Sequence, residues 1–318
     1  MNVRRSLAAV LAVGSILLAT ACAGDDLSEG SDSPDDATSS AAADKGAVSI
    51  ASQSFGEAAM VAAMYDELLT AAGYDPTVKL VDTRDAYMAT FPKSVDVVPE
   101  YVGGIVNFLN AKANGADAEP FTAGSGEDLA QQGKSLLDDA GITLLDVSSA
   151  TDTNAFFVTK DYSDSEGVTK LSDLSGKSVV LAAAPDCKGR LDCEGGLSDQ
   201  YGIDVTKVLP LGYASDQTYK SVLDGESQLG ETSTTDGTLD SQGLVVLQDD
   251  KQIQPAQNLV PAVSSSFLAD HPDVADVLNP LMAALTTEKL TELNAKVAID
   301  RETPEDVAHE FLADAGLI

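Results

Sequence analysis

Strand-like and helix-like segments alternate along almost the whole body of this chain, and that alternation restricts it to a narrow set of folds. A run at 47–52 reads as a strand. A helical pattern over 55–72 follows, in which Ala59, Met60, Ala63, Met64, Leu68 and Leu69 recur at spacings of three and four until Gly73. Strand 77–81, a short helix from Asp85, strand 95–98 closed by Pro99, and a helix from Glu100 towards Ala113 continue the rhythm. After a polar loop over 115–127 come a helix at 127–140 and a strand at 142–147. The polar stretch 148–154 reads as a crossover into a second series, which opens with strand 155–159. Helix 169–174, strands 178–183 and 208–211, helix 215–223, and strands 228–231 and 244–248 follow. The polar run 249–258 reads as a return crossover, and what remains reads as mostly helical. Thr303-Pro304-Glu305-Asp306 is a strong helix start, with Thr as cap, Pro at the first position and acids in the first turn.

Such alternation gives an α/β fold with parallel or mixed sheets and helices on their faces. Sheets of this kind bind ligands in the loops at the carboxyl ends of their strands. A weak internal echo, 87–101 against 219–235, places a helix, a turn and a strand running into a polar loop in each half. Two similar lobes joined by two crossovers make a hinged clamp, an arrangement that closes around a small ligand.

The start of the chain has a different character. Arg4 and Arg5 precede an apolar run from Leu7 to Leu18, and Ala19, Thr20 and Ala21 lead to Cys22. A basic start, an apolar stretch and a small-residue cleavage site describe a secretory signal over 1–21. Cleavage directly before Cys22 predicts lipidation of that thiol; a plain signal with an incidental cysteine is the alternative. Residues 22–46, rich in Gly, Ser, Asp, Ala and Thr, read as a disordered spacer between lipid and globular body. The expected location is the outer face of the cytoplasmic membrane, and no later apolar stretch is long enough for a membrane helix.

The formal charge of −32 disfavours nucleic acid as a partner. Cys187 and Cys193 in an exported chain predict a disulfide closing a small loop. No metal site is expected, because only His271 and His309 could join those sulfurs and neither is near in sequence. Enzymatic signals are poor: there is no nucleophile elbow, no phosphate-binding glycine loop and no plausible Ser-His-Asp set. Binding signals are better. Tyr101 follows a strand end at the mouth of the expected cleft, with Gly103 and Gly104 behind it. Tyr213, Tyr219 and the run Thr234-Thr235-Asp236-Gly237 sit correspondingly in the second half. Facing tyrosines can hold a quaternary ammonium by cation–π attraction, about 0.5–2 kcal/mol per ring; packing between helices is the other use of such rings. Gln53, Ser54 and Arg84 lie at strand ends and are further candidates, Arg84 as a carboxylate partner or a surface ion pair.

At these residues the chain resembles the substrate-binding proteins of glycine betaine/carnitine/choline (osmoprotectant) ABC transporters. Pro99-Glu100-Tyr101-Val102-Gly103 is similar to that family's Pro-Glu-Tyr-Thr-Gly. Tyr219 to Glu226, Thr234 to Gly237, Leu244 to Asp250, Leu290 to Val297 and Ala308 to Leu312 resemble its later motifs in order. The resemblance runs from about Val48 to Ile318. It implies a two-lobed, type II periplasmic-binding-protein-like clamp, with 47–150 plus 252–318 as the first lobe and 151–251 as the second. It also implies a monomer without cofactor that hands a small solute to an ABC permease. Tyr101 and Tyr219 match aromatic-cage positions, and Thr235 and Asp236 match the polar wall.

Three motifs depart from the family pattern. Asp152-Thr153-Asn154 stands for Asn-Thr-Tyr, Pro255-Ala256-Gln257 for Pro-x-Tyr, and Gly56-Glu57-Ala58 for Thr-Glu-Gln. Asp152 and Asn154 therefore join the expected site, and fewer rings imply a ligand more polar than glycine betaine, such as a larger zwitterion. Two alternatives remain at this point: the same fold binding an amino acid or other betaine-like zwitterion, and a surface hydrolase using scattered carboxylates.

Overall fold

The computed structural model describes residues 45–318 except 116, 117 and 123. The expected signal, Cys22 and the spacer through residue 44 lie outside the described residues. Among the described residues ten strands form two five-stranded sheets. The first contains β1 (Ala47–Gln53), β2 (Asp75–Val81), β3 (Val97–Tyr101), β4 (Ile142–Leu144) and β10 (Leu259–Ser264), in the order β2-β1-β3-β10-β4. The second contains β5 (Asn154–Thr159), β6 (Ser178–Ala183), β7 (Asp204–Pro210), β8 (Leu229–Ser233) and β9 (Leu244–Leu247), in the order β7-β6-β8-β5-β9. Both share one plan. Three parallel strands are joined to a fourth that runs antiparallel to both its neighbours.

Helices cover both faces of the first sheet, so its strands carry apolar side chains in both directions. Ile50, Val97 and Val263 pack on the face that holds the helix Gly56–Ala71 and the C-terminal helices. Their neighbours Ala51, Val98 and Ala262 pack on the other face with Ile105 and Leu129. In the second sheet Phe156 and Phe157 divide in the same way, one to each core.

The chain leaves the first sheet after β4 and re-enters it at β10, so two crossovers link the sheets. They pair with each other. Leu259 N donates to Ala150 O at 2.9 Å, Asp152 N donates to Gln257 O at 3.1 Å, and Thr151 and Asn258 form an antiparallel bridge.

Three local expectations need correction. The strand ending at Pro99 instead runs on to Tyr101, and the following helix starts at Val102. The mostly helical ending begins with β10, a buried strand containing Pro261. These two points have one cause: Pro261 lies opposite Pro99 in the antiparallel register. Neither proline has an N–H to offer, and the pair occupies a ladder position where neither strand needs one. The third is the helix expected over 127–140, which divides into Gly126–Gln132 and Lys134–Ala140 at Gly133. A Cβ at Gly133 would stand 2.4 Å from Cγ1 of Val106, so only glycine lets these segments press on the helix Val102–Asn114. By contrast, the predicted cap at Thr303 is present, with Oγ1 accepting from Asp306 N at 3.2 Å. Gly133→Ala is expected to destabilise the protein by about 1–3 kcal/mol through overpacking, measured as a shift in the urea midpoint with an unchanged slope.

Candidate ligand-binding cleft

Segments that follow the parallel strands β1, β7 and β8 meet at one cleft and supply much of its wall. A cavity of about 480 Å³ lies there. Phe55, Gly56 and Glu57 come from the turn after β1 and the start of the helix Gly56–Ala71. Asp152 comes from the first crossover, Tyr213 and Ala214 from the loop after β7, and Tyr219 from the helix Asp216–Leu223. Residues 233–238 follow β8, and Asn294, Val297 and Ala298 come from the helix Thr287–Ala295 and the π-helical turn Lys296–Asp300. Helices often accommodate a π-turn where a functional site needs it.

The polar groups fall into two sets. Asp236 is fixed by four donors: Tyr219 OH at 2.7 Å, Thr232 Oγ1 at 2.5 Å, and Thr238 N and Oγ1 at 2.9 and 2.7 Å. The Tyr219 ring, tethered in this way, packs against Phe157 with 5.5 Å between ring centroids. Burial, opposed by the Thr232 hydroxyl and helped by Asp236, raises the Tyr219 phenol above its ordinary range. Glu57 accepts from Tyr101 OH and, at 2.6 Å, from Asn294 Nδ2. Asn294 Nδ2 also donates to Thr235 O at 2.9 Å, which ties the wall of one sheet to that of the other. Gly237 completes this contact: a Cβ there would stand 2.4 Å from Ala295 N and 2.5 Å from Thr291 O. Only glycine allows so close an approach.

Asp152 differs from both. Its Oδ1 is buried and accepts no hydrogen bond among the described residues. Burial and then the nearby Glu57 push its carboxyl up to about 7, against the lowering pull of the Thr235 and Ser233 hydroxyls. Burial and the Asp152 charge likewise raise the Tyr213 phenol.

Of the sequence candidates, Asp152, Tyr219, Thr235 and Asp236 meet on this one cavity wall. Tyr101 does not line it; its hydroxyl instead holds Glu57, and its ring packs on the first core. Asn154 lines a smaller adjoining cavity of about 230 Å³, together with Asp152, Tyr213, Arg190 and Gln257. Cys187 and Cys193 form a disulfide, buried in the core of the second sheet.

Gln53, Ser54 and Arg84 line neither cavity. Gln53 closes β1 opposite Val81, and the Ser54 hydroxyl faces Asp82 at 3.5 Å. Arg84 does find a carboxylate, but it is the protein's own. Its Nε and Nη2 donate to Glu100 Oε1 and Oε2 at 2.8 and 3.0 Å, and the Glu100 side chain is only 1% exposed. Tyr87 OH and Tyr101 N complete the shell of Glu100.

The sequence reading missed Phe55, Glu57, Asn294, Val297 and Ala298 as wall residues. The motifs containing Glu57 and Asn294 had been singled out, yet the two residues are 237 positions apart and nothing local signals their contact.

Residues 46–314 match the family model described as the substrate binding domain of ABC-type glycine betaine transport system. The chain is 26% identical over 284 residues to a glycine-betaine-binding protein of Pseudomonas aeruginosa, covering 85% of this chain and 88% of that protein. It is 26% identical over 232 residues to glycine betaine-binding protein YehZ of Escherichia coli, covering 70% and 74%. A crystal structure described as a glycine betaine/carnitine/choline ABC transporter superposes with a TM-score of 0.73 at 22% identity, covering 85% of this chain and 98% of that one. That likeness gives the fold, a two-lobed clamp with mixed sheets.

Arg84→Met is expected to cost about 3–5 kcal/mol, because it strands a buried carboxylate. The double variant Arg84→Met with Glu100→Gln should recover more than half of that loss in urea unfolding.

Proposed function

The chain belongs to the family of substrate-binding domains of ABC-type glycine betaine transport systems, and we propose that it captures a quaternary-ammonium compatible solute and delivers it to its permease. The carrying observation is the cavity itself: rings of Phe55, Tyr213 and Tyr219 beside the carboxylates of Glu57, Asp152 and Asp236. Aromatic faces attract a cation that has lost its water, and fixed anions reinforce them. We assign 47–150 plus 252–318 to one lobe and 151–251 to the other, in keeping with the strand membership of the two sheets. Asp152, Tyr219, Thr235 and Asp236 form the proposed contact set, together with Glu57 and Tyr213. Gln53, Ser54 and Arg84 are left out because of where they sit.

The role is binding rather than catalysis. Asp236, the carboxylate that meets the Thr232 and Thr238 hydroxyls here, has its acceptor sites filled by Tyr219, Thr232 and Thr238. The protein works outside the cytoplasmic membrane as a monomer, held there by a lipid on Cys22 and a spacer over 22–46. Among the described residues no helix is long and apolar enough to cross a membrane.

A thermal-shift panel of betaines, choline, carnitine and amino acids tests the reading; no shift with any trimethylammonium compound would overturn it. Tyr219→Ala should weaken the responding ligand about 2- to 30-fold by calorimetry, while Tyr219→Phe, which keeps the ring, retains most of the affinity. Cys22→Ala should reduce solute uptake by cells and leave affinity in solution unchanged.

A further inference from the structure

We propose that this cavity selects a net cation, an ammonium alcohol of the choline type, over zwitterions that carry a free carboxylate. The inference rests on the reading of the cleft given above and departs from the larger zwitterion that the sequence motifs suggested.

The sign of the wall carries it. Glu57, Asp152 and Asp236 line the cavity, and no Lys, Arg or His is among its lining residues. Two of the three carboxylates are served by protein donors: Asp236 by a tyrosine, two threonine hydroxyls and a backbone N–H, and Glu57 by Tyr101 and Asn294. Asp152 meets the Thr235 and Ser233 hydroxyls, but its Oδ1 has no donor among the described residues, so its charge is the least compensated. The nearest arginine on an adjoining wall offers little to a ligand carboxylate. Arg190 donates Nε and Nη2 to Asp192 at 2.9 and 2.6 Å and Nη1 to Asp186 at 3.1 Å. The Asn294 amide is likewise occupied by Glu57 and Thr235 O. A ligand carboxylate would therefore meet three carboxyl groups on this wall and no Lys, Arg or His among its lining residues. A cation bearing only a hydroxyl meets opposite charge and can donate to it.

Asp152 also makes the preference depend on pH. The groups facing it are Glu57 from the helix Gly56–Ala71, Tyr101 from β3, Tyr213 from the loop after β7 and Asp236 from the turn after β8. The phenols stay neutral across the useful range, since burial raises both. With its carboxyl raised to about 7, Asp152 is protonated below that pH and charged above it. A bound cation favours the charged form and a bound carboxylate the neutral form. Rising pH therefore strengthens choline binding and weakens betaine binding.

Calorimetry on the full chain with choline and with glycine betaine, at about pH 6 and about pH 8, decides the matter. The expected result is choline at least about tenfold tighter at the higher pH, with a smaller ratio at the lower one. Asp152→Asn should bring the two ligands within about threefold and remove the pH dependence. If that variant does not fold by circular dichroism, the pH dependence of the ratio in the unaltered protein decides alone. Betaine binding as tightly as choline at the higher pH overturns the inference and leaves the cleft reading standing. Failure of both ligands to bind at either pH overturns both. An unchanged ratio in a folded Asp152→Asn protein removes Asp152 from the account.

Discussion

The paired crossovers are the constraint on which the rest of the molecule depends. Ala150 to Asp152 and Gln257 to Leu259 run antiparallel and exchange backbone hydrogen bonds, so the two sheets are joined along one narrow ribbon. Two short connections held side by side link the two sheets along this ribbon. Asp152 belongs to this ribbon and lines the cavity, so a ligand bound there touches the element that joins the two sheets.

Next to the ribbon, contact between the lobes includes a few polar groups and one glycine. Asn294 donates to Glu57 and to Thr235 O, Thr291 reaches Thr234 O at 3.4 Å, and Gly237 lies against the backbone of the helix Thr287–Ala295. These contacts are small beside the four apolar clusters that line the two sheets. The electrostatics follow from the same geometry. Closing two acidic walls over one cavity concentrates charge that water screens when each wall is open, and an entering cation can relieve it.

How much was legible depended on how local the signal was. The helix Gly56–Ala71, the cap at Thr303 and the disulfide loop follow from short-range pattern, capping chemistry and spacing, and all three are present. Pro99 misled because proline normally ends a strand; here it faces Pro261 across a position of the β3–β10 ladder that asks for no N–H. Position after a strand end leaves Arg84 open between a ligand carboxylate and an ion pair, and the ion pair is what forms, with Glu100, a buried residue that neither segment marks as its neighbour. Tyr101 was placed at the cleft and stands one residue removed from it, supporting Glu57.

The sequence by itself pointed to the alternation of strands and helices up to β9 and, through its motifs, to the family, but not to β10. Both signals are written in periodicity, turn chemistry and motif spacing along a continuous stretch of chain. Only the tertiary structure decided what the cavity wall is made of. Glu57, Asp152, Tyr219, Asp236 and Asn294 come from five separate segments, and their meeting is set by sheet order and packing. The sign of the site belongs to that second level as well. A chain with 51 acidic residues does not say which carboxylates will be satisfied by neighbours and which will be left facing a ligand. That depends on which donors the fold brings within hydrogen-bonding reach, and for Oδ1 of Asp152 it brings none among the described residues.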